Sequence, residues 1–387
     1  MDQRSTMPEQ SLSERRGLRP SREDTAAVSP RPAVRLVGQH KLALDVADHA
    51  APDDWQDALA ALVDAHRIAL EPVVSPRPGG LRQVARWAAG AGHMRGAPVF
   101  APWQAFSPAS LQNPLARAGL PQAQWLASYL FDPVCLRAGA AGSLDVMVAS
   151  PHPAACLDDD ACHAALPRKA VLDAMIGAAR SEGRERLALI VPAHARSAMA
   201  QRLLATDRTL IKGDITLEIV AIEDAISRLI RSVDVWDALI VLPELRGIMA
   251  AILAEISGVD GPWPLLWFDR DLVRVSSELP RESKSVLPLD AAVLMQALAL
   301  TVRHGGMGYE ARRLAESWAR LRDSGVATPA RRSLSPYGRI VSDQEFIALA
   351  ASHDHRAGRP VPAWKALSPL EGNQRPRFPV ALTLVSS

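Results

Sequence analysis

Residues 215–264 read "ITLEIVAIEDAISRLIRSVDVWDALIVLPELRGIMAAILAEISGVDGPWP". Two apolar runs of strand length are each followed by apolar residues at helical spacing, and the second helical segment ends at a glycine. This alternation predicts crossover connections between strands and therefore an α/β fold. Loops between strands and helices usually carry functional groups, yet the helix that follows the second strand offers Gly247, Ala250 and Ala251, which have no reactive side chains.

The same alternation extends through most of the chain. Strands are predicted at 34–48, 68–75, 143–150 and 185–193, and helices at 53–68, 168–183, 196–206, 290–306 and 308–325. Residues 1–34 are rich in Ser, Pro, Arg and Glu and are predicted to form a disordered tail. Residues 329–387 are predicted to form a Pro/Arg-rich C-terminal extension that contains one helix, "SDQEFIALAASH".

Composition narrows the classes of partner. A formal charge of +2, from 44 basic and 42 acidic residues, gives no electrostatic basis for binding nucleic acid or an anionic membrane. The first residues have no apolar core of a secretory signal, and the chain has no apolar run of about 18 residues that could span a membrane. The 3 cysteines form no CxxC pair, which fits a reducing compartment. We therefore expect a cytoplasmic protein whose partners are small molecules or other proteins.

The order of these segments resembles the β-decarboxylating dehydrogenases, the isocitrate and 3-isopropylmalate dehydrogenase family. That family has an Asp-Asn-Ala helix start, a strand ending Asp-Asn-Leu-Phe-Gly-Asp, a helix with a second Asp, and then Gly-Ser-Leu-Gly and Pro. The residues that keep this frame here are Glu223, Asp224, Ala225, Asp237, Gly258, Gly261 and Pro264.

Weaker matches extend the frame across residues 42–328. They are "ALDVADHAAPDD" (43–54), which keeps Asp48, Pro52 and Asp53, "MRGAPVFAP" (94–102), "LDVMVASPHPAACL" (144–157) and "LPLDAAVLMQALAL" (287–300). The resemblance implies a two-domain isopropylmalate-dehydrogenase-like fold with a mixed central sheet. Its larger domain would comprise 35–107 plus 252–328, and its smaller, dimerising domain would comprise 108–251.

The resemblance also implies that the family's metal site has been lost. Catalysis in the family needs a divalent cation that polarises the 2-keto group, with two carboxylate ligands one helical turn apart. Those positions are Gly247 and Ala251 here, and a ligand from the neighbouring subunit falls on Glu223. One carboxylate binds Mg²⁺ poorly, so we expect no metal. Glu223 and Asp224 are equally explained as a charged helix N-terminus.

The substrate and catalytic positions of the family have changed as well. Its substrate-binding arginines fall on Ala109, Arg117, Asp132 and Ser150, its catalytic Tyr falls on Leu157, and its Lys falls on Ala193 or His194. The acid at Asp132 is expected to repel a dicarboxylate. His194 has the chemistry of a general acid or base, although a lone histidine near a strand end is commonly a surface residue.

The cofactor loop and the remaining polar clusters carry little functional signal. The family's adenine loop falls on "RVSSELPRESKSVLP" (274–288), where Arg274 and Val275 replace His and Gly and Pro288 remains. Without that glycine the backbone cannot approach a nucleotide closely, so no NAD(P) is expected. The segment "CLDDDACH" (156–163) lacks zinc-ligand spacing and is interpreted as an exposed acidic loop.

The sequence therefore predicts a divergent family member without metal-dependent oxidative decarboxylation, which acts as a homodimeric scaffold or as a metabolite-binding or regulatory protein. Its remnant cleft positions are Arg117, His194, Glu223 and Asp224. The alternative is an NAD(P)-dependent oxidoreductase with altered, metal-free chemistry on a hydroxy acid; NAD(P), Mg²⁺ or Mn²⁺ would be needed only if an activity remains. A third hypothesis is an interaction module built on 333–341 and 359–372, segments that otherwise resemble solvated linkers.

Overall fold

A ten-stranded mixed sheet organises the chain. In this computed structural model the described residues are 34–37, 53–68, 70–73, 98–108, 120–135, 143–159, 163–206, 215–259, 261–270, 272–280, 289–331, 338–352 and 360–368. No helix among them is long and apolar enough to cross a membrane. The predicted N-terminal tail lies outside the described residues apart from Val34, which begins the first strand.

Strands and helices alternate over 169–257 as the sequence predicts, whereas several strands elsewhere follow one another with no described α-helix between them. The strands are β1 (Val34–Val37), β2 (Leu70–Val73), β3 (Val99–Phe106), β4 (Trp125–Asp132), β5 (Leu144–Pro151), β6 (Cys156–Asp159), β7 (Ala164–Pro167), β8 (Arg186–Val191), β9 (Thr216–Ala221), β10 (Ala238–Val241), β11 (Trp263–Phe268), β12 (Val273–Glu278), β13 (Val326–Ala327) and β14 (Arg339–Ile340). The helices are α1 (Asp53–Ala65), α2 (Lys169–Ser181), α3 (Arg196–Leu204), α4 (Ile222–Arg231), α5 (Arg246–Ser257), α6 (Ala291–His304), α7 (Gly308–Asp323) and α8 (Asp343–Ala351).

The strand order of the large sheet is β2-β1-β3-β12-β11-β4-β5-β10-β8-β9. Strands β5, β10, β8 and β9 run parallel to one another, whereas β4 runs antiparallel to both β5 and β11. The mixed central sheet and the α/β class are therefore confirmed. Five strands from the predicted larger domain lie together on one side of the β11–β4 junction, and five from the smaller one lie on the other. The division into two domains stays a prediction.

Helices cover both faces of the sheet because side chains alternate along each strand. On the first face, which includes Tyr129 and Met147, α2, α6 and α7 contribute to one large apolar core. On the second face, which includes Val146 and Val148, α4 and α5 form a smaller core. Residues 291–302 of α6 are all buried, as expected for a helix between the sheet and α7.

The described part of the C-terminal segment contributes to the core, which corrects the linker interpretation for residues 360–368. Helix α8 packs against α1, and Phe346 on α8 is fully buried. Trp364 is 4% exposed and stacks on Phe131, with ring centroids 5.1 Å apart and an interplanar angle of 3°. The next residue donates its backbone N–H to Asp145 Oδ2 at 2.7 Å. The segment was interpreted as a solvated linker because it is rich in proline and contains only one aromatic residue, Trp364.

Candidate functional site

The carboxyl ends of β5, β10, β8 and β9 meet at one edge of the sheet, which we call the carboxyl edge. In open α/β sheets, ligands usually bind outside this edge. The polar residues that follow the four strands there are His152, Glu244, His194, Glu223 and Asp224. Three of the strands lead into short 3-10 turns, which are Pro153–Ala155, Pro243–Leu245 and Ala193–Ala195. The carboxyl edge is therefore the candidate site.

At the carboxyl edge, His194 and Glu244 form the pair of side chains best suited to acid–base chemistry. They lie at the ends of neighbouring strands, and both residues reach the surface. Loss of water around Glu244 raises the pKa of its carboxyl, and the charge of nearby His194 acts in the opposite direction. Such a pair can accept or donate a proton to a ligand at this edge. The sequence analysis found His194 but missed Glu244. Glu244 could have been found because it follows β10 at the same place at which His194 follows β8.

Glu223 and Asp224 are exposed in the first turn of α4. No side chain caps this helix through a hydrogen bond. Because the two carboxylates lie in the first turn, the helix dipole favours their negative charge. Within the described residues, no group of three or more His, Cys, Asp and Glu side chains is arranged to hold a metal ion. Gly247 and Ala251 on α5 contribute no oxygen ligand. The described residues at these positions therefore do not fit the Mg²⁺ or Mn²⁺ that the family resemblance implies.

Two of the residues that align with the family's substrate-binding arginines are buried in the core of this protein. Asp132 is buried, and its Oδ2 accepts a hydrogen bond from Arg322 Nη2 at 2.8 Å. The expectation that Asp132 repels an acidic substrate is wrong, because Arg322 compensates its charge. Ser150 is fully buried, and its hydroxyl has no hydrogen-bond partner among the described residues. Arg117 and Ala109 lie outside the described residues.

Two interpretations of loops are also wrong. Leu157, at the family's Tyr position, is 47% exposed and belongs to β6, which pairs with β7 in a hairpin. The described part of 156–163 is thus largely strand and not an acidic loop. The proposed adenine loop begins inside β12, where Arg274 and Val275 are buried strand residues paired with β11. Residues 281–288 of that segment lie outside the described residues.

A buried ion pair lies beneath α5 on the second face of the sheet. Arg246 begins the helix and is fully buried, and its Nε donates to Glu278 Oε1 at 2.8 Å. Arg246 Nη2 donates to Glu278 Oε2 at 3.0 Å and to Ser128 Oγ at 2.6 Å, and Trp263 Nε1 donates to Glu278 Oε2 at 2.7 Å. The sequence analysis missed this pair because no local pattern joins residues that are 32 positions apart.

Comparison with known proteins identifies the architecture. No protein-family profile and no curated protein matches the sequence. The isocitrate dehydrogenase from Methylococcus capsulatus superposes with a TM-score of 0.55 at 11% sequence identity, covering 82% of this chain and 98% of that chain. The chain has the isocitrate dehydrogenase fold. The TT0538 protein from Thermus thermophilus gives a TM-score of 0.54 at 11% identity, covering 82% of this chain and 67% of that chain. At such identities the likeness establishes the fold alone.

We predict that the buried pair of this isocitrate dehydrogenase fold is a structural requirement. Arg246→Met leaves Glu278 charged and buried, so it should lower the free energy of unfolding by about 3–5 kcal/mol. Combining it with Glu278→Met removes both charges and should recover most of that loss. Urea denaturation measures both variants.

The matched control is Arg228→Met, which removes a surface ion pair to Glu218 whose side chains are 45% and 37% exposed. Exposed pairs contribute about 0–1 kcal/mol. If Arg246→Met costs no more than Arg228→Met, the buried pair does not have the structural role described here.

Proposed function

We propose that this chain is a non-catalytic protein with the isocitrate dehydrogenase fold, which acts as a homodimeric, metabolite-binding regulatory protein or scaffold. The observation that carries the proposal is the chemistry of α5. Gly247 and Ala251 offer no metal ligand, and the first residue of the helix, Arg246, is bound to Glu278 inside the core. The resemblance implies that the corresponding helix supplies metal ligands in the family. In this protein α5 contributes packing and one buried ion pair instead.

The surface formed by α4 and α5 supports the homodimer. Ile230 on α4 is 65% exposed and Ile248 on α5 is 49% exposed, although both are large apolar residues. A groove of about 310 Å³ runs between the helices, lined by Leu229, Ile230, Arg231, Val233 and Ile256. We call this the α4–α5 surface. A second copy of the chain is the occupant we propose, because a two-fold contact buries the exposed isoleucines of both subunits at once.

We predict that the protein is a dimer in solution and that Ile248→Glu dissociates it. A charge at this position would be buried without a partner in the dimer but remains solvated in the monomer, so the monomer should stay folded. Light scattering after gel filtration should give twice the chain mass of 41.7 kDa for the wild type and one chain mass for the variant.

Leu204→Glu is the control, since Leu204 is 76% exposed at the end of α3, on the other face of the sheet. This variant should remain dimeric. A wild-type mass of 41.7 kDa, or an Ile248→Glu variant that stays dimeric, would contradict the proposed interface.

The alternative function is an NAD(P)-dependent oxidoreductase with altered chemistry on a hydroxy acid. The observation that favours it is the neighbouring His194 and Glu244 at the carboxyl edge, a histidine and a carboxylate that could move a proton to or from a substrate hydroxyl. The non-catalytic proposal is better supported, because an acid–base pair alone provides neither the metal nor the substrate-binding arginines on which the family's reaction depends.

We predict no reduction of NAD or NADP with isocitrate, 3-isopropylmalate, malate or tartrate, in the presence of Mg²⁺ or Mn²⁺. The physical reason is that Gly247, Ala251 and Leu157 cannot replace two carboxylates and a phenol. Absorbance at the nicotinamide band measures the rate against heat-treated protein. Turnover that is present in the wild type and lost in His194→Ala would establish the oxidoreductase alternative.

A further inference from the structure

Arg274 is a buried cation near the carboxyl edge, on the second face of the sheet. It is the second residue of β12 and pairs in register with Trp267 on β11 and with Val99 on β3. The residue is 7% exposed. Its one polar contact to another described residue is a long hydrogen bond from Nη1 to Gln104 Oε1, at 3.4 Å. No carboxylate in the described part of the chain forms an ion pair with it.

Other buried arginines of the protein are compensated. Each has a carboxylate within 4.0 Å: Arg184 has Glu182 and Asp145, Arg246 has Glu278, Arg322 has Asp132, and Arg331 has Asp290. Removing an ionised guanidinium from water without a counter-charge is costly, which is why buried charges are normally paired. Burial lowers the pKa of Arg274, and no neighbouring described carboxylate raises it again. The missing partner of Arg274 therefore needs an explanation.

Described polar residues around Arg274 do not compensate its charge. Asp269 is half-buried in the turn between β11 and β12, and its carboxylate does not offset the effect of burial on the pKa of Arg274. Ser276, on the same face of β12, is occupied because its hydroxyl accepts a hydrogen bond from Trp267 Nε1 at 2.7 Å. Glu278 lies four residues further along the strand, roughly 13 Å away at 3.3 Å per residue, and its carboxylate is bound by Arg246. Gln104 is half-buried and neutral, so it places an uncharged amide beside Arg274.

We propose that Arg274, with Gln104 beside it, binds one anionic group, a carboxylate or a phosphate, of a small metabolite. A guanidinium offers paired N–H donors that match two oxygens of such a group, and the Gln104 amide can donate to a further oxygen. The site is separate from His194 and Glu244, because β12 and β10 are four strand spacings apart, about 19 Å. The inference deepens the proposed function by naming the chemistry of the metabolite, and it rests on the metabolite-binding part of that proposal.

Thermal unfolding of three proteins tests the site: the wild type, Arg274→Met and the exposed-arginine control Arg228→Met. The probes are inorganic phosphate and citrate, with chloride at equal ionic strength as the reference. At about 100 times its Kd, a bound anion should raise the melting temperature of the wild type and of Arg228→Met by roughly 5 °C. Arg274→Met should show no such rise. In chloride alone, Arg274→Met should melt at or above the wild type, since it removes an uncompensated buried charge.

The two anions distinguish the source of the group. A rise with phosphate alone assigns a phosphate ligand, and a rise with citrate alone assigns a carboxylate ligand. The proposal is overturned if neither anion raises the melting temperature of the wild type or if Arg274→Met responds like the wild type. It is also overturned if Arg274→Met melts well below the wild type in chloride, because Arg274 would then have an internal partner. The predictions of a dimer and of no turnover are tested in separate experiments. If either prediction is wrong, the anion-binding result can still be interpreted.

Discussion

The pairing of Arg246 with Glu278 is the interaction on which the rest of the structure depends. The Arg246 side chain extends from the start of α5 along the second face of the sheet to Glu278, the last residue of β12. Its Nη1 also donates to Val148 O at 3.3 Å. It therefore connects β5, β4 and β12, and Trp263 on β11 binds the same carboxylate. These strands flank the β11–β4 junction, where the two sets of five strands meet. A buried ion pair across this junction opposes movement of one half of the sheet relative to the other.

The same pairing of charges recurs elsewhere in this isocitrate dehydrogenase fold. Acids and bases that could serve a reaction are instead bound to one another: Asp132 to Arg322, and Glu182 and Asp145 to Arg184. Buried, fully bonded pairs of this kind fix the geometry of the chain. Exposed acid and base groups at the carboxyl edge include His194, Glu244 and the first turn of α4. Arg274 is the exception among the described buried arginines, and the partner that we propose for it is an anionic ligand.

The sequence predicted the elements whose pattern is local. The alternation of apolar runs indicated the α/β class, and the helix expected between Arg246 and Gly258 is observed as Arg246–Ser257, with Gly258 at a φ of 70° as a left-handed cap. Features that depend on distant contacts were not predictable in this way. Placing residues 274–288 on a family loop concealed the strand β12, and the prolines around Trp364 concealed its stacking on Phe131. A carboxylate 32 residues from its arginine leaves no periodic signal.

The central proposal is that this chain has the isocitrate dehydrogenase fold without the divalent metal site that the family resemblance implies. A titration of the wild-type protein with Mn²⁺, followed by the electron paramagnetic resonance of the free ion, tests that claim most directly. Without several oxygen ligands converging on one point, binding should be weak and unsaturated up to about 1 mM. A saturable site with one Mn²⁺ per chain and micromolar affinity would contradict the account.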